Sequence, residues 1–505
     1  MVNLELTRPN AWVAILAIIP AVLAGCGESS SGGDGTDNGG NGDGGNGGNG
    51  SSNLSAFSST TYFIGNDGSS GNTSDGSQLW KTDGTESGTL KVKAVAPGED
   101  ADIEQITPVG DKVFFVADDN EGYGQQLWVS DGTESGTLRL TDSTELDAGT
   151  ATTLSEFDGM LYFRGRSESG EIWIWKSDGT IAGTGPADTD VTLDNGLSLL
   201  TPFKNHLYFR ANDGTNGAEL WRSDGTDANT EMVADIQTDG GLGSLFTCTE
   251  GFVELDGMLY FSANDGSGGG CDLWRTNGEL DHAEKVKEMS DSFNTGPIDL
   301  AVADDTLFFL TRREPATGTD DGAVWVSDGT DAGTTKVFDE DDDEYRLMMG
   351  GSGPTDISQP LLAAGDHAYF YVNDRSKSSG EALQLWYADS TESGLLVDLE
   401  DSVLGGGIDM AVATGQLFFV HTRPNIESDF TGSNKGIWTA TGNNVELLHS
   451  GFTGSNGGKP LLQAEGGDTL LFSSMGDVWR TSGTTASTAF VSEICPGTCF
   501  GFKSE

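Results

Sequence analysis

The segment Leu-Trp-x-Ser-Asp-Gly-Thr and its variants return nine times along this chain, at Trp80, Trp128, Trp175, Trp221, Trp274, Trp325, Trp386, Trp438 and Trp479. Consecutive tryptophans stand 48, 47, 46, 53, 51, 61, 52 and 41 residues apart, a drifting period near that of a four-stranded repeat unit. Such a unit cannot cover its own apolar faces, so the copies must stack on one another. One repeat type running from about residue 54 to residue 505 makes residues 54–505 one large repeat domain, in a length that would hold several ordinary ones.

Each copy reads as four strands, labelled a to d. Around the second motif, Ile106 to Val109 is followed by a Gly110-Asp111 turn, then Val113 to Val116, a loop, Gln126 to Ser130, the turn DGTESGT, and Leu138 to Leu140. The a–b turn recurs as Asp158-Gly159, Lys204-Asn205, Asp256-Gly257, Gly365-Asp366, Thr414-Gly415 and Gly466-Gly467, residue types that suit tight hairpins. Strand b carries an aromatic pair in most copies, for example Phe114-Phe115, Tyr162-Phe163 and Tyr208-Phe209. Adjacent strand residues point to opposite faces, so both faces of each sheet must be covered, as happens when a blade is packed between two neighbours. The expected fold is all-β, a β-propeller of one ring with eight or nine four-stranded antiparallel blades. Nine motifs exceed the usual count, so either the ring is unusually large or a decayed copy near an end stands outside it. The repeated tryptophan then fills blade interfaces and needs no ligand. The DGTxxGT stretch is the c–d hairpin, with Asp opening a turn and Gly supplying its left-handed residue.

The strings QLWKTDGTESGT (Gln78 to Thr89), QLWVSDGTESGT (Gln126 to Thr137), ELWRSDGT (Glu219 to Thr226) and VWVSDGTDAGT (Val324 to Thr334) resemble the bacterial ELWxxDGT repeat family. Later copies depart from the pattern, with Tyr-Ala-Asp-Ser after Trp386 and Thr-Ala-Thr-Gly after Trp438. The resemblance implies an exported or surface protein with propeller-like repeats, and implies no reaction.

The first residues form an address. Arg8 precedes an apolar run from Ala11 to Val22, the length of a signal segment and too short to span a bilayer. Leu23-Ala24-Gly25-Cys26 resembles the lipobox of bacterial lipoproteins, which implies a signal peptide over residues 1–25 and lipidation of Cys26. Gly27, where such proteins carry Asp for retention, implies the outer membrane or cell surface. From Gly27 to Ser52 the chain is almost wholly Gly, Ser, Asn and Asp, which makes residues 26–53 the lipidated cysteine and a tether with a reach of roughly 25 to 30 Å.

Asp and Glu number 79 against 26 Lys and Arg, a formal charge of −53 that repels phosphate backbones and argues against nucleic acid as a partner. The same carboxylates suit a chain kept soluble in salt, or one that binds divalent cations.

In an up-and-down blade the a–b and c–d turns share one rim, and the b–c loops and d–a crossovers share the other. The first rim is nearly constant in this chain. The second holds the long, unrepeated segments, among them Asn66 to Gln78, Asn212 to Glu219, Thr311 to Ala323, Thr238 to Cys248 and Asp339 to Gln359. Loops on a rigid scaffold carry function, so the variable rim is the expected binding face. Asn66-Asp67-Gly68, Asn212-Asp213-Gly214 and Asn264-Asp265-Gly266 recur there, with Asp75 closing the first loop. Asp67, Asp75, Asp213 and Asp265 are therefore the candidate calcium ligands, against the alternative of simple Asx turns. No cofactor is required by any other feature. The carboxylate run from Asp339 to Glu344 reads as a solvated loop, and Arg312, Arg313, Arg375, Lys377 and Arg423 stand out as cations on an acidic background.

Apart from Cys26 four cysteines remain, in a compartment that permits disulfides. Strand order puts Cys248 and Cys271 together at the variable rim, leaving Cys495 and Cys499 as a second pair, although four cysteines allow three connectivities. The five histidines share no metal-ligand spacing, and Gly454 to Lys459 lacks the features of a phosphate loop. No catalytic residue is assigned. The expected function is a lipid-anchored binding, adhesion or scaffold module that meets an extracellular protein or glycan through its variable rim. The alternative is a propeller enzyme, hydrolase or lyase, acting on extracellular polysaccharide.

Overall fold

The computed structural model describes residues 60–493 apart from 66–77, 145, 148, 188–196, 239–242, 246–247, 249–250, 268–269, 290–295, 312–321, 341–344, 349–360, 377–381, 400–409, 414, 422–434, 453–461, 466–468 and 475–476. The described residues form nine antiparallel sheets, each built from consecutive strands and centred on one motif tryptophan. Blade 2 is representative, with strands Glu104–Val109, Lys112–Ala117, Gln126–Ser130 and Leu138–Arg139 in that spatial order. Blade 1 contributes three described strands, Thr61–Gly65, Gln78–Thr82 and Leu90–Lys93. In blade 7 both Tyr345–Leu347 and Leu361–Ala364 pair with His367–Asp374, so strand a is split in two.

The aromatic pair of strand b explains how blades stack. Its first member faces the next blade; its second lies opposite the motif tryptophan and, with it, faces the preceding blade. Phe115 and Trp128 are register partners with ring centroids 6.2 Å apart, packed on Tyr62, Ile64 and Leu79 of blade 1. Phe114 turns the other way, onto Leu161, Phe163 and Trp175 of blade 3. The same exchange recurs through Phe209 and Trp221, Phe261 and Trp274, Phe309 and Trp325, Phe370 and Trp386, Phe419 and Trp438, and Phe472 and Trp479. A ninth cluster joins Leu471, Val478 and Val491 of blade 9 to Phe63 and Trp80 of blade 1. The fold is thus a closed β-propeller of nine blades, and the eight-blade alternative falls away because every motif sits in the ring. Blade 9 is made of its own four strands, Leu462–Glu465, Thr469–Ser474, Asp477–Thr481 and Ala489–Glu493, so among the described residues closure is by packing, without an exchanged strand.

The c–d turns are closed by their own bonds. In blade 2 the Asp131 carboxylate accepts from the Thr133 amide at 2.9 Å and hydroxyl at 2.7 Å, Gly136 N donates to Thr133 Oγ1 at 3.0 Å, and the buried Ser130 and Thr137 hydroxyls pair at 2.7 Å. Asp83, Asp178, Asp224, Asp328 and Asp389 repeat the carboxylate's role. The Thr133 hydroxyl and then its amide hold the Asp131 carboxyl below its ordinary range.

The turn glycine, at positive φ, offers its carbonyl to the preceding blade. Lys81 Nζ donates to Gly132 O at 2.8 Å, Arg222 Nη1 to Gly278 O at 2.5 Å and Arg275 Nη1 to Gly329 O at 2.8 Å. Tyr208 Oη adds a bond to Gly278 O at 2.8 Å, and Tyr369 Oη one to Gly442 O at 3.1 Å. Each cation follows the motif tryptophan and is the register partner of the strand-b tyrosine, as in Tyr62 and Lys81, Tyr208 and Arg222, Tyr260 and Arg275. Where strand b begins with Phe the partner is uncharged, as in Phe114 and Val129, Phe308 and Val326, Phe418 and Thr439. Polar latches and apolar contacts are therefore alternative ways of joining one blade to the next.

The a strands of successive blades lie side by side around the axis. Four of them bulge at matching places and put a residue other than glycine at positive φ, namely Gln105 (54°), Thr153 (53°), Leu199 (66°) and Asp299 (50°). A β-branched or bulky side chain in this region is strained, and the strain is held by the packed ring. Gln105 links two inner strands, donating to Ala151 O and accepting from Leu154 N, both at 3.3 Å.

Candidate functional site

The rim opposite the c–d turns is organised by a side chain that sequence reading did not single out, the residue two before the motif tryptophan. In blade 1 it is Gln78, buried, whose amide oxygen accepts from Val95 N at 2.6 Å and Ala96 N at 3.3 Å. Its nitrogen donates to Ala96 O at 3.0 Å and Glu99 O at 2.9 Å. Gln126 accepts from Thr141 Oγ1 at 2.8 Å and donates to Tyr123 O at 3.0 Å. These amides pin the d–a crossover that leads to the next blade. The Glu or Gln that heads the motif is thus a loop clamp, and its burial could be seen only once the crossover was folded back over it.

Blade 4 carries the charged version of the clamp. Glu219, fully buried, accepts from Ser244 N at 2.8 Å, from the Ser244 hydroxyl, and from Ile236 N at 3.3 Å. Burial pushes its carboxyl above the ordinary range, and the bonds from Ser244 and Ile236 offset only part of that. The same crossover is held by Leu245 N bonding to Ala218 O at 2.9 Å, by Arg210 Nη1 donating to Leu245 O at 3.3 Å, and by a disulfide between Cys248 and Cys271. Cys495, Cys499 and Cys26 lie outside the described residues. Asp272 plays the clamp's part in blade 5, accepting from Met289 N at 2.9 Å and pairing with Lys285 at 2.7 Å.

The calcium candidates divide. Asp67 and Asp75 lie outside the described residues. Asp213 makes an Asx turn, accepting from Thr215 N at 2.8 Å, Asn216 N at 3.0 Å and Asn216 Nδ2 at 3.1 Å; partial burial works to raise its carboxyl, but these bonds leave it lowered. Asp265 accepts from the Ser267 amide at 2.9 Å and hydroxyl at 2.6 Å, and faces Lys285 Nζ at 3.0 Å. Against partial burial, Ser267 and Lys285 bring the Asp265 carboxyl down to about 2. The two described carboxylates are thus occupied by turn amides and a lysine, and they stand in different blades. Among the described residues no group of three or more His, Cys, Asp or Glu could hold a metal ion.

The carboxylate run divides as well. Residues 341–344 lie outside the described set, Asp339 is exposed and pairs with Lys336 at 3.0 Å, and Glu340 is buried, its Oε1 accepting from Leu347 N at 2.7 Å. Glu340 is thus a clamp, not part of a solvated loop. Of the cations picked from sequence, Arg312, Arg313, Lys377 and Arg423 lie outside the described residues, and Arg375 is exposed beside blade 7. Basic side chains missed by that reading gather elsewhere on the same rim. Arg139 stacks 3.9 Å over the Tyr123 ring and pairs with Asp119, and Arg166 pairs with Asp147. Arg164, half-buried on strand b of blade 3 opposite Thr152, is pushed down from its ordinary value by burial and then by Arg166.

No protein-family profile matches the chain, and no curated protein does. Among solved structures, the chain is similar to a prolyl endopeptidase at 13% identity and a TM-score of 0.42, covering 75% of this chain and 54% of that one. It is similar also to a puromycin hydrolase variant complexed with PGG, at 11% identity and a TM-score of 0.36, covering 74% of this chain and 58% of that one. The chain spans little more than half the length of either protein.

Proposed function

We propose that this protein is a lipid-anchored, exported propeller of the ELWxxDGT repeat type that binds an extracellular protein or glycan through its b–c loops and d–a crossovers, at the outer membrane or cell surface. The observation that carries the reading is the unequal treatment of the two rims. The c–d turns spend their polar groups on themselves and on the neighbouring blade, whereas the crossover from blade 4 to blade 5 is fastened by Glu219, Arg210 and a disulfide without being drawn into the barrel of strands. Fastening the described residues of that crossover, Gly243 to Leu245 and Cys248, at the rim lowers the ordering cost of binding there. Calcium, if it contributes, would act in the loop of Asp67 and Asp75. A glycan array and a surface-protein capture run beside a polysaccharide turnover assay test the proposal. Retention that is lost when Ser244 is replaced by a bulky residue supports it, and turnover of polysaccharide would replace it with the enzyme reading.

A further inference from the structure

We infer that blade 3 presents, on its side facing blade 4 and at the variable rim, a subsite for a single carboxylate carried by a uronic acid residue of a glycan. Arg164 holds the carboxylate there, with the Thr152 hydroxyl beside it. The inference narrows the rim-binding reading given above and rests on it.

Arg164 follows the aromatic pair of its strand, Met160–Arg166, and shares the side of Tyr162, which packs on Leu207 and Phe209 of blade 4. In blades 1, 2 and 6 the same position holds Ile64, Val116 and Leu310, all buried. An aliphatic side chain therefore meets the packing need, and a guanidinium there loses hydration without improving the joint. In blade 4 the arginine at this position, Arg210, has a use within the fold, since it donates to Leu245 O at 3.3 Å. Arg164 has none: among the described residues no carboxylate, carbonyl or hydroxyl takes its donors, and the charge beside it is that of Arg166. Arg139, Arg166, Arg222 and Arg275 by contrast each face a carboxylate. In a chain with 79 acidic residues against 26 basic ones, a half-buried arginine without an acid partner is left for something outside the chain. Its planar fork of N–H donors matches a carboxylate bidentately.

The surroundings suit a sugar acid. The strand ends at the rim with Arg166, two residues on and on the same side, whose Nη2 pairs with Asp147 while its Nε is buried without a bond among the described residues. Asp147 is thus engaged, and Glu171 in the adjoining loop accepts from Ser167 Oγ at 2.7 Å and from the Ser169 hydroxyl, so these acids are already partnered. Thr152 is the register partner of Arg164 on the inner strand and lies on the same side of the sheet. Its hydroxyl has no partner among the described residues. A uronic acid presents a carboxylate and neighbouring hydroxyls on one ring, which is what a guanidinium beside a hydroxyl recognises. Net charge sets how densely the ligand is charged: at −53 the chain repels a polymer with an acid on every residue, but not one in which a uronate stands between neutral sugars.

The test is titration calorimetry of the full chain with a trisaccharide whose middle residue is glucuronate, with the same trisaccharide carrying glucose there, and with acetyl-Gly-Ala-Gly bearing a free terminal carboxylate. The glucuronate trisaccharide should bind, and Arg164→Leu should weaken it by about ten- to a hundredfold, the worth of a hydrogen-bonded charge, while leaving the glucose trisaccharide unaffected. The melting temperature of Arg164→Leu should be no lower than that of the natural chain, because leucine is what blade 6 carries at this position. Equal affinity for the two trisaccharides, or a leucine variant that binds glucuronate as the natural chain does, overturns the subsite. A leucine variant that melts earlier with binding intact assigns Arg164 to the joint between blades and overturns it too. Binding of the peptide in place of the glucuronate trisaccharide, lost in Arg164→Leu, gives the site to a peptide terminus and overturns the sugar. Glycans or proteins retained equally by the natural chain and by Arg164→Leu overturn the subsite and leave the rim reading standing, whereas a natural chain that retains none overturns that reading.

Discussion

The latch between blades 4 and 5 allows a quantitative test of how blades are joined. Tyr208 and Arg222 converge on Gly278 O at 2.8 and 2.5 Å, Tyr208 is fully buried, and Arg222 also pairs with Glu231 at 2.6 Å. Tyr208→Phe removes one donor from a carbonyl that keeps the other, so it should cost about 1 kcal/mol, the net value of an intramolecular hydrogen bond. Arg222→Leu removes a charge-assisted bond and leaves Glu231 half open to water, for a loss of about 1.5 to 2 kcal/mol. The double variant orphans a carbonyl in a packed interface and should lose about 1 to 2 kcal/mol beyond the sum of the singles. Equilibrium denaturation followed by tryptophan fluorescence, with Trp274 at that interface, closes the cycle. Additive losses would refute the shared acceptor. A neutral Tyr208→Phe would show that this blade already works as the Phe114 blade does.

Replacing Cys248 and Cys271 together by Ser opens a loop whose ends lie 23 residues apart, and should lower stability by about 3 kcal/mol in denaturant midpoints measured against the oxidised chain. Glu219 has a folded pKa raised above its unfolded value, so the folded chain holds the proton more tightly; its contribution is present below the ordinary Glu range and lost as pH rises through the raised value. Glu219→Gln should flatten that part of the stability profile, and an unchanged slope between the two proteins would count against a buried clamp. Asp265 is lowered to about 2, so its contribution is present above the ordinary Asp value and lost as pH falls through about 2. The melting-temperature gap between the natural chain and Asp265→Asn should accordingly close in that acid window.

Much of the fold was legible because the repeat states its plan several times over. The a–b turn residues, the aromatic pair and the motif tryptophan together prescribe strands, faces and stacking, and even the decayed motifs at Trp386 and Trp438 keep the tryptophan that the interface needs. Strand order also brought Cys248 and Cys271 to one rim. The clamps were not legible, because Gln78, Glu219 and Asp272 read as polar residues beginning a strand, and nothing local announces that a crossover will cover them. The bulges were hidden for the opposite reason. Thr153 and Leu199 have local preferences that oppose positive φ, and only the ring as a whole imposes it. Cations were picked from the longest loops, whereas Arg164 and Arg210 lie within strands and become notable only through burial.

The tyrosine, lysine and arginine latches all run one way, from a blade to the turn-glycine carbonyl of the blade after it. Such head-to-tail contacts have no natural end unless their rotation closes, and nine equal steps close at about 40° each. A gained or lost copy would force every remaining step to about 36° or 45°, against interfaces already tuned by tyrosine, lysine and tryptophan. The count of blades is therefore a property of the joint and not of any blade. A departure of the turn sequence within a copy leaves the joint intact, as at Trp386 and Trp438, whereas an added copy would alter every joint at once.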